Sequence, residues 1–149
     1  MLMHEYFKQQ KGRWDTQILA TDISAKALSQ ARIGCYPSTS TDTLPAGWLN
    51  RYFVRAGDQW QINDQIKNEV VFRSLNLIQA SYPFKKKFHI IFCRNVMIYF
   101  EKETKVELVR RLYDLTEPGG YLFIGHAESI AREDTEFQYI QPAVYQKRF

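Results

Sequence analysis

The stretch FHIIFCRNVMIYF, residues 88–100, begins as a strand and then changes character. Phe88, Ile90, Ile91 and Phe92 follow one another in near-continuous apolar order, the pattern of a strand covered on both faces of a parallel sheet. Cys93, Arg94 and Asn95 stand directly at its end, and the apolar residues then resume. A guanidinium buried beyond a central strand requires an anion or hydrogen-bond acceptors, since an unpaired interior charge is costly. Arg94 is therefore expected either to face a ligand pocket or to join a structural salt bridge with one of the chain's acids.

Upstream and downstream of this stretch, strands alternate with helices. Residues 2–10 read as a helix stopping near Gly12. QILAT, 17–21, is a short strand closed by Asp22, and Ser24 caps a helix that Gly34 ends. CYPSTSTDTLP, 35–45, reads as a loop. WLNRYF suggests a helical turn, FVRAGDQWQIN two strands around Gly57-Asp58, and EVVF, 69–72, a further strand. A helix from about Glu103 to Thr116 shows Val106, Val109, Leu112 and Tyr113 on one face and Glu107, Arg110 and Arg111 on the other. Pro118-Gly119-Gly120 stops it, YLFI follows as a strand, and FQYI with AVYQKRF forms an antiparallel hairpin. This order argues for an α/β sandwich, mostly parallel, whose ligands bind beyond the carboxyl ends of the strands.

The bulk properties agree with a packed domain. The 149 residues are 45% hydrophobic, with ten Phe and nine Tyr, enough for one core. No run approaches a membrane span, and the first residues carry His4 and Glu5 where a secretion signal would need an apolar core, so a cytoplasmic location without membrane insertion is expected. Cys35 and Cys93 are far apart without metal-ligand spacing, which points to reduced thiols and no metal site. The net charge of +4 is compatible with nucleic acid. Its only dense basic cluster, Lys85-Lys86-Lys87, reads instead as a solvated turn or a handle for an acidic partner, and no nucleic-acid partner is expected.

The strand ends then supply the candidate residues. Asp22 can accept hydrogen bonds from both hydroxyls of a ribose, or can start a turn and cap the next helix. Asn76 offers a donor and an acceptor to a heterocycle edge, with Leu77 to flank the ring, or serves its own loop. Arg94 and Asn95 are joined by Tyr99 one turn on. His126 and Glu128, after the strand YLFI, invite acid/base chemistry or simply order their loop. Hydrolase and phosphotransferase motifs are not found.

Taken in order, ILATDIS (18–24), ARIGCYP (31–37), RYF (51–53), NL (76–77), FCRNVMIYF (92–100) and PGGYLFIGHAES (118–129) resemble the CheR family of chemotaxis methyltransferases. The resemblance implies a Rossmann-like class I methyltransferase sheet using S-adenosylmethionine, with S-adenosylhomocysteine as product, to esterify glutamate side chains of chemoreceptors. It implies that Asp22 holds the cofactor ribose, that Asn76 and Leu77 flank the adenine, that Arg94 and Asn95 line the methionine end, and that Arg94 and Tyr99 stand near the methyl transfer. Residues of about 51–72 look like the family's small antiparallel subdomain, which in some members grips a receptor tail.

The resemblance also implies that residues 1–149 are a partial catalytic domain. The family's N-terminal helical domain and its cofactor-gripping loop with the first strand have no counterpart in the chain. Two expectations follow. Either the strands QILAT and HIIFC pair directly, or their edges are completed by another chain, for example in a homo-oligomer. Cofactor binding by the chain alone is expected to be weak or absent, which keeps a non-catalytic remnant or interaction module as the alternative to an enzyme.

Overall fold

The computed structural model describes residues 1–12 and 14–149. It divides into two units, Met1–Asn76 and Leu77–Phe149, and each has its own buried cluster.

In the first unit the decisive pairing is parallel. Strand β1 (Ile18–Asp22) lies beside β5 (Val70–Ser74), with Ile18 opposite Val70 and Asp22 opposite Ser74. Helix α2 (Ala25–Ile33) follows β1 because Ser24 caps it, the Ser24 hydroxyl accepting the Ala27 amide at 3.2 Å. Gly34 closes α2 in the left-handed conformation that a Cβ disfavours, at φ 66°. Helix α1 (Leu2–Phe7) ends earlier than the sequence suggests.

The remainder of this unit is antiparallel. Strands β2 (Cys35–Pro37), β3 (Phe53–Ala56) and β4 (Gln59–Ile62) form a three-stranded sheet of order β2-β4-β3. The residues read as a loop over 35–45 thus begin with a strand, because Tyr36 finds a cross-strand partner in Trp60. The small sheet reaches back beyond residue 51, whereas residues 70–74 belong with β1. Short helices α3 (Trp48–Tyr52) and α4 (Asp64–Lys67) flank it. Tyr52 is fully buried, and its hydroxyl donates to Glu5, which also accepts from Arg51. His4 Nδ1 lies 3.0 Å from the same hydroxyl, so a buried polar group that would otherwise be costly ties α1 to α3.

In the second unit the sheet order is β6-β7-β9-β8. Strands β6 (Phe88–Cys93) and β7 (Thr116–Ile124) are parallel and are joined through α5 (Lys102–Leu115). Strands β8 (Gln138–Gln141) and β9 (Val144–Gln146) form the expected antiparallel hairpin, with β9 against β7. Cys93, Leu122 and Ile124 bury themselves with Leu108, Val109 and Leu112 of α5 in one cluster, and Ile91 packs against it. Truncating Leu108 or Leu122, both fully buried, is worth about 2–5 kcal/mol by analogy with other cores.

Several expectations change here. Helix α5 runs straight into β7, and Pro118-Gly119-Gly120 lies inside that strand, where the register against β6 shifts after Phe88. A Cβ on Gly120 would stand 2.8 Å from the His89 carbonyl and 2.9 Å from the Glu117 carbonyl, so the irregularity admits no side chain. The sheet is not covered on both faces at β6. Ile90 and Phe92 point away from the α5 core and are 49% and 69% exposed, with Phe92 stacked on Phe123 at a ring separation of 4.8 Å. Among the described residues, parallel pairing is found within each unit, in β1–β5 and in β6–β7.

Candidate functional site

The carboxyl ends of the two parallel pairs carry the polar residues singled out from the sequence. In the first unit the Leu75 amide donates to the Asp22 carbonyl at 3.1 Å, continuing the β1–β5 ladder to its end. Asp22 and the segment leading into Asn76 therefore leave the sheet side by side. The Asp22 carboxylate is exposed and accepts the Ser24 amide at 2.8 Å through Oδ1. It thus starts the turn into α2 and still presents a carboxylate at a strand end.

In the second unit Leu77 is held through its backbone. Its carbonyl accepts the Tyr82 hydroxyl at 2.6 Å and Arg111 Nη2 at 3.2 Å. Helical periodicity predicts Arg111 on the solvent face of α5. Its guanidinium instead turns inward to lie 5.7 Å from the Tyr82 ring, and its Nε is buried without a hydrogen bond. A long amphipathic side chain can do this from a position that counts as polar.

Arg94 and Asn95 follow β6, and Tyr99 ends a 3-10 turn over Met97–Tyr99. The expectation that Arg94 is buried is corrected: its residue is exposed. Among the described residues the ion pairs are Arg51–Glu5, Lys102–Asp134 and Arg111–Glu107, and Arg94 joins none of them. The strand ends one residue earlier, at buried Cys93, so the guanidinium emerges at the surface. Tyr99 is 80% exposed, whereas Met97 between them is only 2% exposed and anchors the turn in the core.

Glu128 is the residue that sequence reasoning undervalued. Oε2 accepts the amides of Asn95 at 2.9 Å and Gly125 at 2.6 Å, and Oε1 accepts the amide of Met97 at 2.7 Å. Burial pushes this carboxyl up, but the backbone N–H groups of Gly125, Asn95, Met97 and Ile98 outweigh it and hold the carboxyl below its usual value. The Cys93 thiol beside it is pushed up to about 11 by burial and by the Glu128 charge. The ordering of the GHAES loop thus falls to Glu128, while His126 is exposed. The available signal was a carboxylate three residues past a strand-ending glycine.

The chain is thus an α/β protein with an acid and an amide at the ends of one parallel pair and Arg-Asn at the end of another, the places where α/β sheets bind ligands. A family model described as "CheR methyltransferase, SAM binding domain" matches residues 1–145. The chemotaxis protein methyltransferase of Borreliella burgdorferi is 39% identical over 148 residues, covering 99% of this chain and 52% of that protein. Those of Salmonella typhimurium and Escherichia coli are 38% and 36% identical, each over 90% of this chain, and over 47% and 48% of their own lengths. The chain spans about half the length of these curated relatives. It belongs to the CheR methyltransferase family, in the part that binds S-adenosylmethionine.

The residues present fit that cofactor. An exposed carboxylate at the end of β1 suits vicinal ribose hydroxyls, and nothing in the Asp22 turn closes it off by an ion pair among the described residues. No helix of the described residues is long and apolar enough to cross a membrane.

Proposed function

We propose that this chain is the cofactor-binding part, a partial catalytic domain, of a methyltransferase that esterifies glutamate side chains of cytoplasmic chemoreceptor segments. The observation that carries the reading is the exposed Asp22 carboxylate emerging beside the Asn76 segment at the carboxyl ends of β1 and β5. The similarity to chemotaxis protein methyltransferases over nearly the whole chain supports it.

In this reading Asp22 accepts the two ribose hydroxyls, Asn76 meets the adenine edge and Leu77 flanks the ring. Arg94 and Asn95 line the methionine end. S-adenosylmethionine, when bound, supplies an electrophilic methyl group on a sulfonium. The acceptor glutamate has an ordinary pKa near ~4.3 and is already an anion at neutral pH, so the chain needs no general base. Its task is alignment, and Tyr99 offers a ring that favours positive charge nearby. The β2-β4-β3 sheet is the inserted subdomain and the candidate holder of a receptor tail.

Calorimetry with S-adenosylhomocysteine on a version extended to the length of the relatives and on its Asp22→Asn variant tests the reading, since Asn keeps an acceptor for the Ser24 amide. At least a tenfold loss of affinity in the variant supports the assignment, and equal affinity sinks it. Methyl transfer to receptor fragments, run beside a version extended to the length of the relatives, tests the substrate. The chain alone is expected to be weakly active or inactive.

A second reading, an interaction module or homo-oligomer, is favoured by the exposure of Ile90 and Phe92 on β6. Sedimentation of the chain across a concentration range tests it, and a monomer throughout would remove it.

A further inference from the structure

The geometry points to Glu128 as a positioning residue: from the loop after β7, its carboxylate sets the backbone of the Arg94–Tyr99 turn and so directs Arg94, Asn95 and Tyr99 outward. The proposal rests on the reading of that turn as the methionine end of the cofactor pocket.

The turn has a problem that Glu128 solves. Asn95 adopts φ 59°, a left-handed conformation that is uncommon for a residue with a side chain. Its amide falls between the end of β6 and the 3-10 turn, and that of Met97 stands at the turn's first position, where neither a strand ladder nor the turn itself supplies an acceptor. One carboxylate takes both, at 2.9 and 2.7 Å, and adds the Gly125 amide at 2.6 Å. The end of β6 is thereby tied to the end of β7, its parallel neighbour, through a charged acceptor.

The space around the carboxylate is equally specific. A Cβ on Gly125 would lie 2.7 Å from Glu128 Oε2 and 2.4 Å from Asn95 Oδ1. Beneath the clamp, Met97 is buried; above it, Arg94, Asn95, Ile98 and Tyr99 are exposed. The clamp therefore acts on the side of the turn that faces a ligand, while the core side is fixed by Met97 packing. A neutral Gln in place of Glu128 has one acceptor oxygen and would set an NH2 group against an N–H donor.

The test compares the chain with Glu128→Gln by amide hydrogen exchange, and a version extended to the length of the relatives with its own Glu128→Gln variant by NMR titration with S-adenosylhomocysteine. Glu128→Asp, which keeps the charge, is the second variant should Glu128→Gln fold poorly. The expected result is at least tenfold faster exchange at Asn95, Met97 and Gly125, with the Leu108 and Leu122 amides changed less than twofold, and a half-saturation concentration raised about tenfold. Unchanged protection at the three amides overturns the proposal, and so does a parallel loss at Leu108 and Leu122, which would mark a merely structural role. Equal S-adenosylhomocysteine binding by both proteins overturns the positioning role while leaving the pocket assignment intact. An extended wild-type version with the three amides protected but no ligand response at Arg94–Tyr99 keeps the clamp and sinks the cofactor reading instead.

Discussion

Arg111, carried on α5, donates through Nη2 to the carbonyl of Leu77 at 3.2 Å, and the Tyr82 hydroxyl meets the same oxygen at 2.6 Å. A residue proposed to flank the cofactor's ring is thus held by a side chain 34 residues further along the chain. Tyr82→Phe and Arg111→Met are each expected to destabilise by about 1 kcal/mol. The double variant should lose about 0.5 kcal/mol or more beyond the sum, because the carbonyl is then left without either partner. Urea unfolding of the four proteins measures the coupling, and strict additivity would show that the carbonyl is not shared.

Glu128 gives stability a particular pH dependence. Its carboxyl is held below the usual carboxylate value in the folded chain, chiefly by backbone amides acting against the opposing effect of burial. Its contribution is therefore fully present above the unfolded pKa of about 4.3 and is lost as pH falls through the lower folded value. The neighbouring Cys93 thiol, raised to about 11, stays protonated over this range. The stability gap between wild type and Glu128→Gln should be constant near neutrality and shrink on acidification. A gap that widens in acid would contradict the sign of the shift.

Two glycines allow a contrast. Gly120→Ala forces a methyl against the His89 and Glu117 carbonyls and should cost about 2 kcal/mol in global unfolding. Gly125→Ala presses on Asn95 Oδ1 and Glu128 Oε2 instead. Its main effect should be local, with faster exchange at Asn95 and Met97. Hydrogen exchange resolved by residue distinguishes the two.

Phe92 is 69% exposed on the face of β6 opposite the α5 core. Phe92→Lys should change stability by no more than about 1 kcal/mol, the scale of one lost ring stack. If this face mediates self-association, the variant should sediment as a smaller species than wild type at equal concentration. Identical sedimentation of both would exclude the face.

Much of the architecture was legible because local chemistry dictates it. The Ser24 cap, the Gly34 stop, the Gly57-Asp58 hairpin turn and the α5 apolar stripe each depend on neighbours within a few residues. The placing of Asp22 and Asn76 at strand ends followed from the same periodicity. Cys35–Pro37 does not show itself as a strand in the sequence because its pairing with Gln59–Gln61 is non-local and its composition resembles a loop. Pro118-Gly119-Gly120 reads as a stop because breakers carry the same signal in a turn as in an irregular strand.

The sequence by itself determined the alternation of strands and helices, the motif order that marks the family, and which residues stand at the strand ends, since these rest on spacing and on residue chemistry. Only the tertiary structure decided that Arg94 emerges at the surface rather than being buried, that Arg111 turns inward to hold Leu77, and that one carboxylate, Glu128, gathers the amides of Asn95, Met97 and Gly125. These last facts depend on where long side chains and loop amides from distant segments meet. Hydrogen-bond satisfaction across parallel neighbours settles that meeting, and no periodicity within a single segment encodes it.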